Sequence, residues 1–313
     1  MRSTTSVSSS DGHRCRVVSR RVAVALLPLL AAATPVAAQQ KVMQRYAVTP
    51  TASVRIFGDV GSLRIVGWDR DSVVIAGTLP TGARMDASRG GAPGRPASGM
   101  KIYVEVPRAP APDARIELRV PARARVWAKS GSADVEVTGL TGGLDLNIVG
   151  GSVRVVCSPA ELQIESMDGS VAIEGSPAWL RAKTATGDIV MRGGSDDAGL
   201  STVSGAVRVG EGRFERAKFT SVTGAIVFAG DIARGGTLDF DTHGGPIELR
   251  LAPNPDAEID AATVTGTIEN TLTSRRPIAG REGRGMELGF TSGTGRARVL
   301  IRSFKGNISL RAR

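Results

Sequence analysis

One short motif recurs along this chain with a nearly fixed period, and it limits the possible folds more than any other feature. Two apolar residues alternate with polar ones and lead to Ser or Thr; two variable residues, a Gly and a second alternating stretch follow. Hydroxyl and glycine fall at Ser166 and Gly169, Thr184 and Gly187, Thr202 and Gly205, Ser221 and Gly224, and Thr242 and Gly245. They recur at Thr263 and Gly266, Ser292 and Gly295, and Ser303 and Gly306. Upstream, Ser130 leads to Ala133, Ile148 to Gly151 and Gly58 to Gly61, so nine of eleven registers carry the hydroxyl. The glycine positions from 133 to 266 are 18 to 21 residues apart. Alternation on both sides of each glycine specifies short strands with one buried face. The hydroxyl-x-x-Gly between them reads as a turn, where glycine permits positive φ and the hydroxyl bonds nearby backbone. Helical periodicity is absent after residue 38, so the expected class is all-β.

A meander of hairpins and a parallel β-solenoid both use strand-turn-strand units of this length. Hairpin turns need not resemble one another, whereas stacked coils must overlay like positions, about 4.8 Å apart. The near-constant period and the lack of any Asn-Gly turn favour a single-stranded, β-helix-like solenoid of about ten coils behind an N-terminal β cap. Residues 39–125 are expected to hold the cap and first coil, and 126–313 the repeats. Two stretches interrupt the period. Residues 80–100 contain eight Gly or Pro together with Arg84, Arg89 and Arg95, and read as a flexible basic loop. Residues 272–285 carry Arg275, Arg276, Arg281 and Arg284 and read as a basic insert. These seven arginines are the expected contacts for an anionic ligand.

Residues 1–38 read as a cleavable export signal. Arg14, Arg16, Arg20 and Arg21 precede the apolar run 22–33, and Val36 and Ala38 sit three and one residues before a cut ahead of Gln39. That run is too short to span a ~30 Å hydrocarbon core. The chain has 40 Lys plus Arg against 30 Asp plus Glu. Removing five Arg and one Asp with the signal leaves a mild excess of about six positive charges, and Cys157 without a partner. A periplasmic, extracellular or cell-surface protein with no later membrane span is expected.

Catalytic signals are sparse. His243 is the single histidine after the signal, in a turn with Asp239 and Asp241 nearby, and reads as a polar turn residue. Metal chemistry would want further nitrogen or sulfur ligands. Asp196 with Asp197, Asp239 with Asp241, and Glu258 with Asp260 are the acid pairs that glycosidic cleavage could use. Trp68, Trp127 and Trp179 are the only tryptophans and fall in separate repeats, whereas polysaccharide-cleaving solenoids line a groove with aromatics. Cys157 reads as a buried, inert thiol. No catalytic, metal or cofactor-binding residue is assigned.

The early strand from Gly61 to Asp71, the strands Tyr103–Pro107 and Val120-Pro121, and the serial coils from Val126 resemble the bacterial "putative adhesin" family of β-strand-repeat domains of unknown function. The resemblance covers nearly all of residues 45–313. It implies the repeat fold and transfers no catalytic motif. The expectation is an exported, non-enzymatic, adhesin-like element of the cell envelope that contacts an envelope polymer, a surface glycan or a protein, and not nucleic acid. A polysaccharide-active β-helix enzyme and a self-assembling envelope scaffold are the alternatives.

Overall fold

The computed structural model describes residues 39–92, 94–280 and 283–313. The expected signal segment 1–38 and Arg281 lie outside the described residues. Among the described residues there is no α-helix, and no helix is long and apolar enough to cross a membrane. The first strands are β1 (Gln40–Gly58), β2 (Ser62–Trp68), β3 (Ser72–Leu79), β4 (Arg84–Gly90), β5 (Ala97–Glu105) and β6 (Arg115–Pro121). The regular middle comprises β7 (Arg125–Ser132), β8 (Asp134–Thr138), β9 (Gly143–Gly150), β10 (Val153–Val156), β11 (Glu161–Ser166), β12 (Val171–Glu174) and β13 (Trp179–Thr184). It continues with β14 (Ile189–Arg192), β15 (Ser195–Thr202), β16 (Val207–Val209), β17 (Arg213–Ser221), β18 (Ile226–Phe228), β19 (Asp231–Thr242) and β20 (Ile247–Leu251). The last are β21 (Ala257–Thr263), β22 (Ile268–Asn270), β23 (Ile278–Ala279), β24 (Met286–Ser292), β25 (Ala297–Ser303) and β26 (Ile308–Ala312).

The strands form one 26-stranded, mostly parallel array. From β7 to β18 each strand pairs in parallel with the strand two places on, as Leu162 with Leu180 or Val171 with Ile189. Odd and even strands thus make two ladders, joined by β1. Its first half pairs antiparallel with β3, and its second half pairs in parallel with β5 and β7. The inward residues of both ladders form one buried apolar cluster. Phe228 of the even ladder lies 5.5 Å from Phe219 and 5.3 Å from Phe240 of the odd one, so the ladders face each other across that core.

Seven of the nine motif hydroxyls act as expected, while the Ser130 hydroxyl is buried with no hydrogen-bond partner. Ser166, Thr184, Thr202, Ser221, Thr242, Thr263 and Ser303 each accept the N–H of the glycine three residues on, at 2.7 to 3.1 Å. Thr184 and Thr202 also donate to the carbonyls of Gly169 and Gly187 in the preceding repeat, both at 3.3 Å. The glycine column departs from expectation. Only Gly151 and Gly295 of the motif glycines from Gly151 onward have positive φ, 100° and 68°. The others are glycine because a Cβ at Gly187, Gly205, Gly224 or Gly245 would overlap the carbonyl of the glycine below it.

Three other expectations are corrected. Residues 84–90 and 97–100 of the expected loop are strand: β4 runs antiparallel to β5, with Met85 and Ala87 packed on the core. The match at Ser292 and Gly295 is not a parallel coil, since β24 runs antiparallel to β21. Sequence order is also not spatial order at either end. β25 and β26 lie between β19/β20 and β21/β22, so the last coil of the chain is inserted one place inward. Likewise β1 and β2 sit between β5/β6 and β7/β8. Glycine contacts record the same insertion: a Cβ at Gly306 would meet Gly245, and one at Gly266 would meet Gly306.

Candidate functional site

Side chains on the outer face of the odd ladder stand in columns, because the strands pair in register and from β7 to β15 each places position i beside position i+18 of the next. One column runs Ser53, Arg125, Gly143, Glu161, Trp179. The adjacent one runs Arg55, Trp127, Asp145, Gln163, Arg181. Where the two columns meet, β1, β7, β9, β11 and β13 enclose an open groove of about 520 Å³ walled by Phe57, Trp127 and Trp179.

Each wall is braced. Phe57 stacks on Tyr103 with centroids 4.8 Å apart and rings 9° from parallel, and its other neighbour is Trp127, also at 4.8 Å. The Arg181 guanidinium lies 4.7 Å from the Trp179 ring centroid and is itself held by Asp197 at 2.7 Å. This arrangement combines cation–π attraction with a fixed ion pair, so the indole is pre-oriented.

The floor is polar. Gly143 has no side chain, which lets Arg125 and Glu161 approach across it to 3.8 Å. Half-buried Asp145 accepts a hydrogen bond from the Asn147 amide at 2.9 Å. Burial pushes the Asp145 carboxyl above its ordinary pKa, the nearby Glu165 charge adds to this, and the Asn147 amide opposes it. Gln163 donates to Glu165 at 3.4 Å. Charged groups along the floor are balanced, with Arg55 and Arg125 against Asp145 and Glu161.

A second feature follows the turns. The residue after the motif hydroxyl position is mostly exposed and apolar, as at Val149, Met167, Val203, Val222, Phe304 and Val264, with Ala185 half-buried. Successive levels are tied by backbone bonds from Met167 to Val149, Ala185 to Met167, Val203 to Ala185 and Val222 to Val203. They form a ridge one side chain wide, with His243 stacked on Phe304 at 5.0 Å.

The sequence-derived arginines are not gathered into one site. Arg84, Arg89 and Arg95 are exposed on and beside the β4–β5 hairpin, beyond β1 at one end of the odd ladder. Arg275, Arg276 and Arg284 are exposed around β23 and β24, at the other end. Four of the six candidate acids, all but Asp196 and Asp241, are engaged in ion pairs with neighbouring strands. Asp197 meets Arg181 and Arg216, Asp239 meets Lys218 at 3.5 Å, Glu258 meets Arg298 at 3.1 Å, and Asp260 meets Arg302 at 3.9 Å. Burial raises the Cys157 thiol pKa, against a backbone hydrogen bond that lowers it. Among the described residues no group of three or more His, Cys, Asp or Glu side chains could hold a metal ion. Trp68 belongs to the even ladder and donates to the Ser72 carbonyl at 2.8 Å, away from the groove.

The sequence reading missed the groove because it treated the tryptophans as scattered. The available signal was the period: Trp179 lies two residues short of three 18-residue steps from Trp127, one column over on the same face.

No family model matches this chain, and no curated protein matches it. Among solved structures, a Bacteroides fragilis protein described as a putative adhesin is 12% identical, with a TM-score of 0.47, covering 88% of this chain and 98% of its own. A Clostridium sporogenes protein described as a putative cell adhesion protein is 11% identical, with a TM-score of 0.21, covering 88% and 100%. A Parabacteroides distasonis protein described as a putative lipid binding protein is 11% identical, with a TM-score of 0.38, covering 86% and 96%. At this level the likeness carries no function to the chain.

Proposed function

We propose that this chain is an exported, non-enzymatic binding element of the bacterial cell envelope, built as a parallel β-solenoid. Its ligand contact is the outer face of the odd ladder and not the two arginine clusters. The observation that carries this reading is the groove with Trp127 and Trp179 as braced walls and a charge-balanced floor. Concave sites with aromatic walls and a few placed polar groups are the usual form of a binding site. The ion pairs made by Asp197, Asp239, Glu258 and Asp260 support binding over hydrolysis, because these carboxylates are occupied by arginine or lysine of neighbouring strands.

The test is co-sedimentation of the purified protein with envelope fractions. Wild type is expected to pellet, and a Trp127→Ala, Trp179→Ala double variant to stay in the supernatant. Equal pelleting of both would remove the groove from the reading. Loss of binding on removing the arginine clusters alone would return the site to them.

A second reading, self-association, is favoured by the apolar ridge. Its repeat of one apolar side chain per strand level is matched by the same ridge on a second copy. Sedimentation equilibrium of a Val203→Lys, Val222→Lys variant against wild type tests this, with dissociation expected on substitution.

A further inference from the structure

We infer that the groove between Trp127 and Trp179 takes an uncharged pyranose oligosaccharide. This rests on the reading that the outer face of the odd ladder is the binding surface, and it specifies what binds there.

Three observations define the ligand. The walls are flat and aromatic, with Phe57, Trp127 and Trp179 each half-buried and held by a neighbouring ring or guanidinium. The floor between them offers carboxylate, amide and guanidinium groups from Asp145, Gln163, Glu161 and Arg125. Opposite charges on that floor are equal in number, so an ionic ligand gains no net attraction. A pyranose ring fits this pattern, with apolar C–H faces for stacking and equatorial hydroxyls that both donate and accept.

Other ligand classes fit less well. An acyl chain would strip water from the floor's polar groups and return no hydrogen bond, at a cost of about 1–3 kcal/mol each. An extended peptide gains most of its affinity by adding to a sheet edge. Here β7, β9 and β11 are each paired on both sides, so the groove lies on a sheet face with no free edge. Trp127 on β7 and Trp179 on β13 are three strand steps apart, about 14 Å at the usual spacing. That distance calls for several sugar units and not one. Phe57 and Tyr103 continue the aromatic track over two more strands beyond Trp127.

The experiment titrates the purified full chain with neutral hexasaccharides of β-1,4-linked glucose and of β-1,4-linked N-acetylglucosamine. Intrinsic tryptophan fluorescence and calorimetry are the readouts. At least one hexasaccharide is expected to bind and its disaccharide to bind far more weakly. Trp127→Ala and Trp179→Ala should each weaken binding at least about tenfold, as for anchors walling a pocket. Trp127→Phe should retain most of it, which separates loss of stacking from loss of fold, and Trp68→Phe should be silent. Binding unchanged in both alanine variants overturns the site. Fluorescence response to phosphatidylcholine vesicles with none to sugars overturns the ligand class. If no sugar binds while Trp127- and Trp179-dependent envelope co-sedimentation persists, the sugar inference fails and the binding-face reading stands. If both assays are negative, both fail.

Discussion

Replacing Gly205 by Ala separates two reasons for a conserved-looking glycine column within one chain. Gly205 lacks positive φ, and a Cβ there would overlap the Gly187 carbonyl and come within 2.9 Å of the Thr186 oxygen. Relief requires the turn to move away from the strand level below. That motion strains the bond from the Gly205 N–H to Thr202 at 3.1 Å, the bond from Thr202 to the Gly187 carbonyl at 3.3 Å, and the bond from Ser204 to Ala185 at 3.0 Å. At about 1 kcal/mol for each of the three weakened bonds, plus about 1–3 kcal/mol for overpacking, the expected loss is about 4–6 kcal/mol. With roughly 2–4 °C per kcal/mol for a chain of this size, the melting temperature should fall by about 8–24 °C.

Two other glycines serve as controls. Gly289 has open space around it and no positive φ, so Ala there should be within about 0.5 kcal/mol of wild type. Gly235 has φ 76° with nothing near it, so Ala should cost about 1–2 kcal/mol and Asn less. Asn must not rescue position 205, where any side chain collides. Circular-dichroism melts of the Ala and Asn variants at all three sites decide the matter. Hydrogen exchange locates the damage, because arrays of stacked repeats open locally as well as globally. Near-wild-type melting of Gly205→Asn, or Gly205→Ala melting with Gly289→Ala, would refute the close-contact argument.

Thr202→Val keeps the shape of a nearly fully buried side chain but leaves the Gly205 N–H without an acceptor, so a urea midpoint loss of about 1–3 kcal/mol is expected, with Thr202→Ser close to wild type. Asp188 accepts from the Ala206 N–H and binds Arg208, and these contacts hold its pKa below the ordinary value against some burial. A depressed folded pKa gives stability that is present above about pH 4 and lost as pH falls through the folded value. Asp188→Asn should therefore destabilise at pH 7 and converge with wild type in an acid titration; with the carboxylate half-exposed, the effect should be about 1 kcal/mol or less. Ending the chain after residue 296 removes β25 and β26 from between two other coils, so amides of residues 257–270 should lose exchange protection although their own sequence is intact. In a stack built strictly in sequence order they would keep it.

The residues that made the fold legible were those whose role is local. Ser166, Thr184 and their equivalents bond a backbone N–H three residues away, so the spacing reports the contact directly. Gly187 and Gly205 were identified as obligatory but for the wrong reason, because sequence cannot distinguish a need for positive φ from crowding by a carbonyl 18 residues earlier. The apparent coil at Leu288, Phe290 and Ser292 misled for a related reason. Alternating apolar residues read the same along a strand in either direction, so antiparallel β24 matched a template for parallel strands. Glycine and proline density hid β4, although Met85 and Ala87 already alternate with Arg84, Asp86 and Ser88. The inward placement of β25 and β26 depends on which surfaces bury best against each other, and no local spacing encodes it.

The groove was legible in principle, and the reason bears on how any such array should be read. In a linear reading Trp127, Asp145, Gln163 and Arg181 share nothing. Wrapped on an 18-residue period they are one column, since strands about 4.8 Å apart place residues a full period apart in direct contact. Two columns two residues apart share a face, which puts Trp179 opposite Trp127 without any coordinates. The groove itself also needs a missing side chain at Gly143 and the bracing of Trp179 by Arg181. The first can be inferred from the wrapped sequence and the second cannot, because it depends on the Arg181 rotamer that Asp197 selects from the next strand. Asp197→Ala should therefore loosen Arg181 on Trp179, leaving only its bonds to the Leu180 and Asp197 backbone carbonyls, and weaken any ligand held by that indole, although Asp197 lies outside the groove. A quench of Trp179 fluorescence unchanged in this variant would show that the indole holds its place without the arginine.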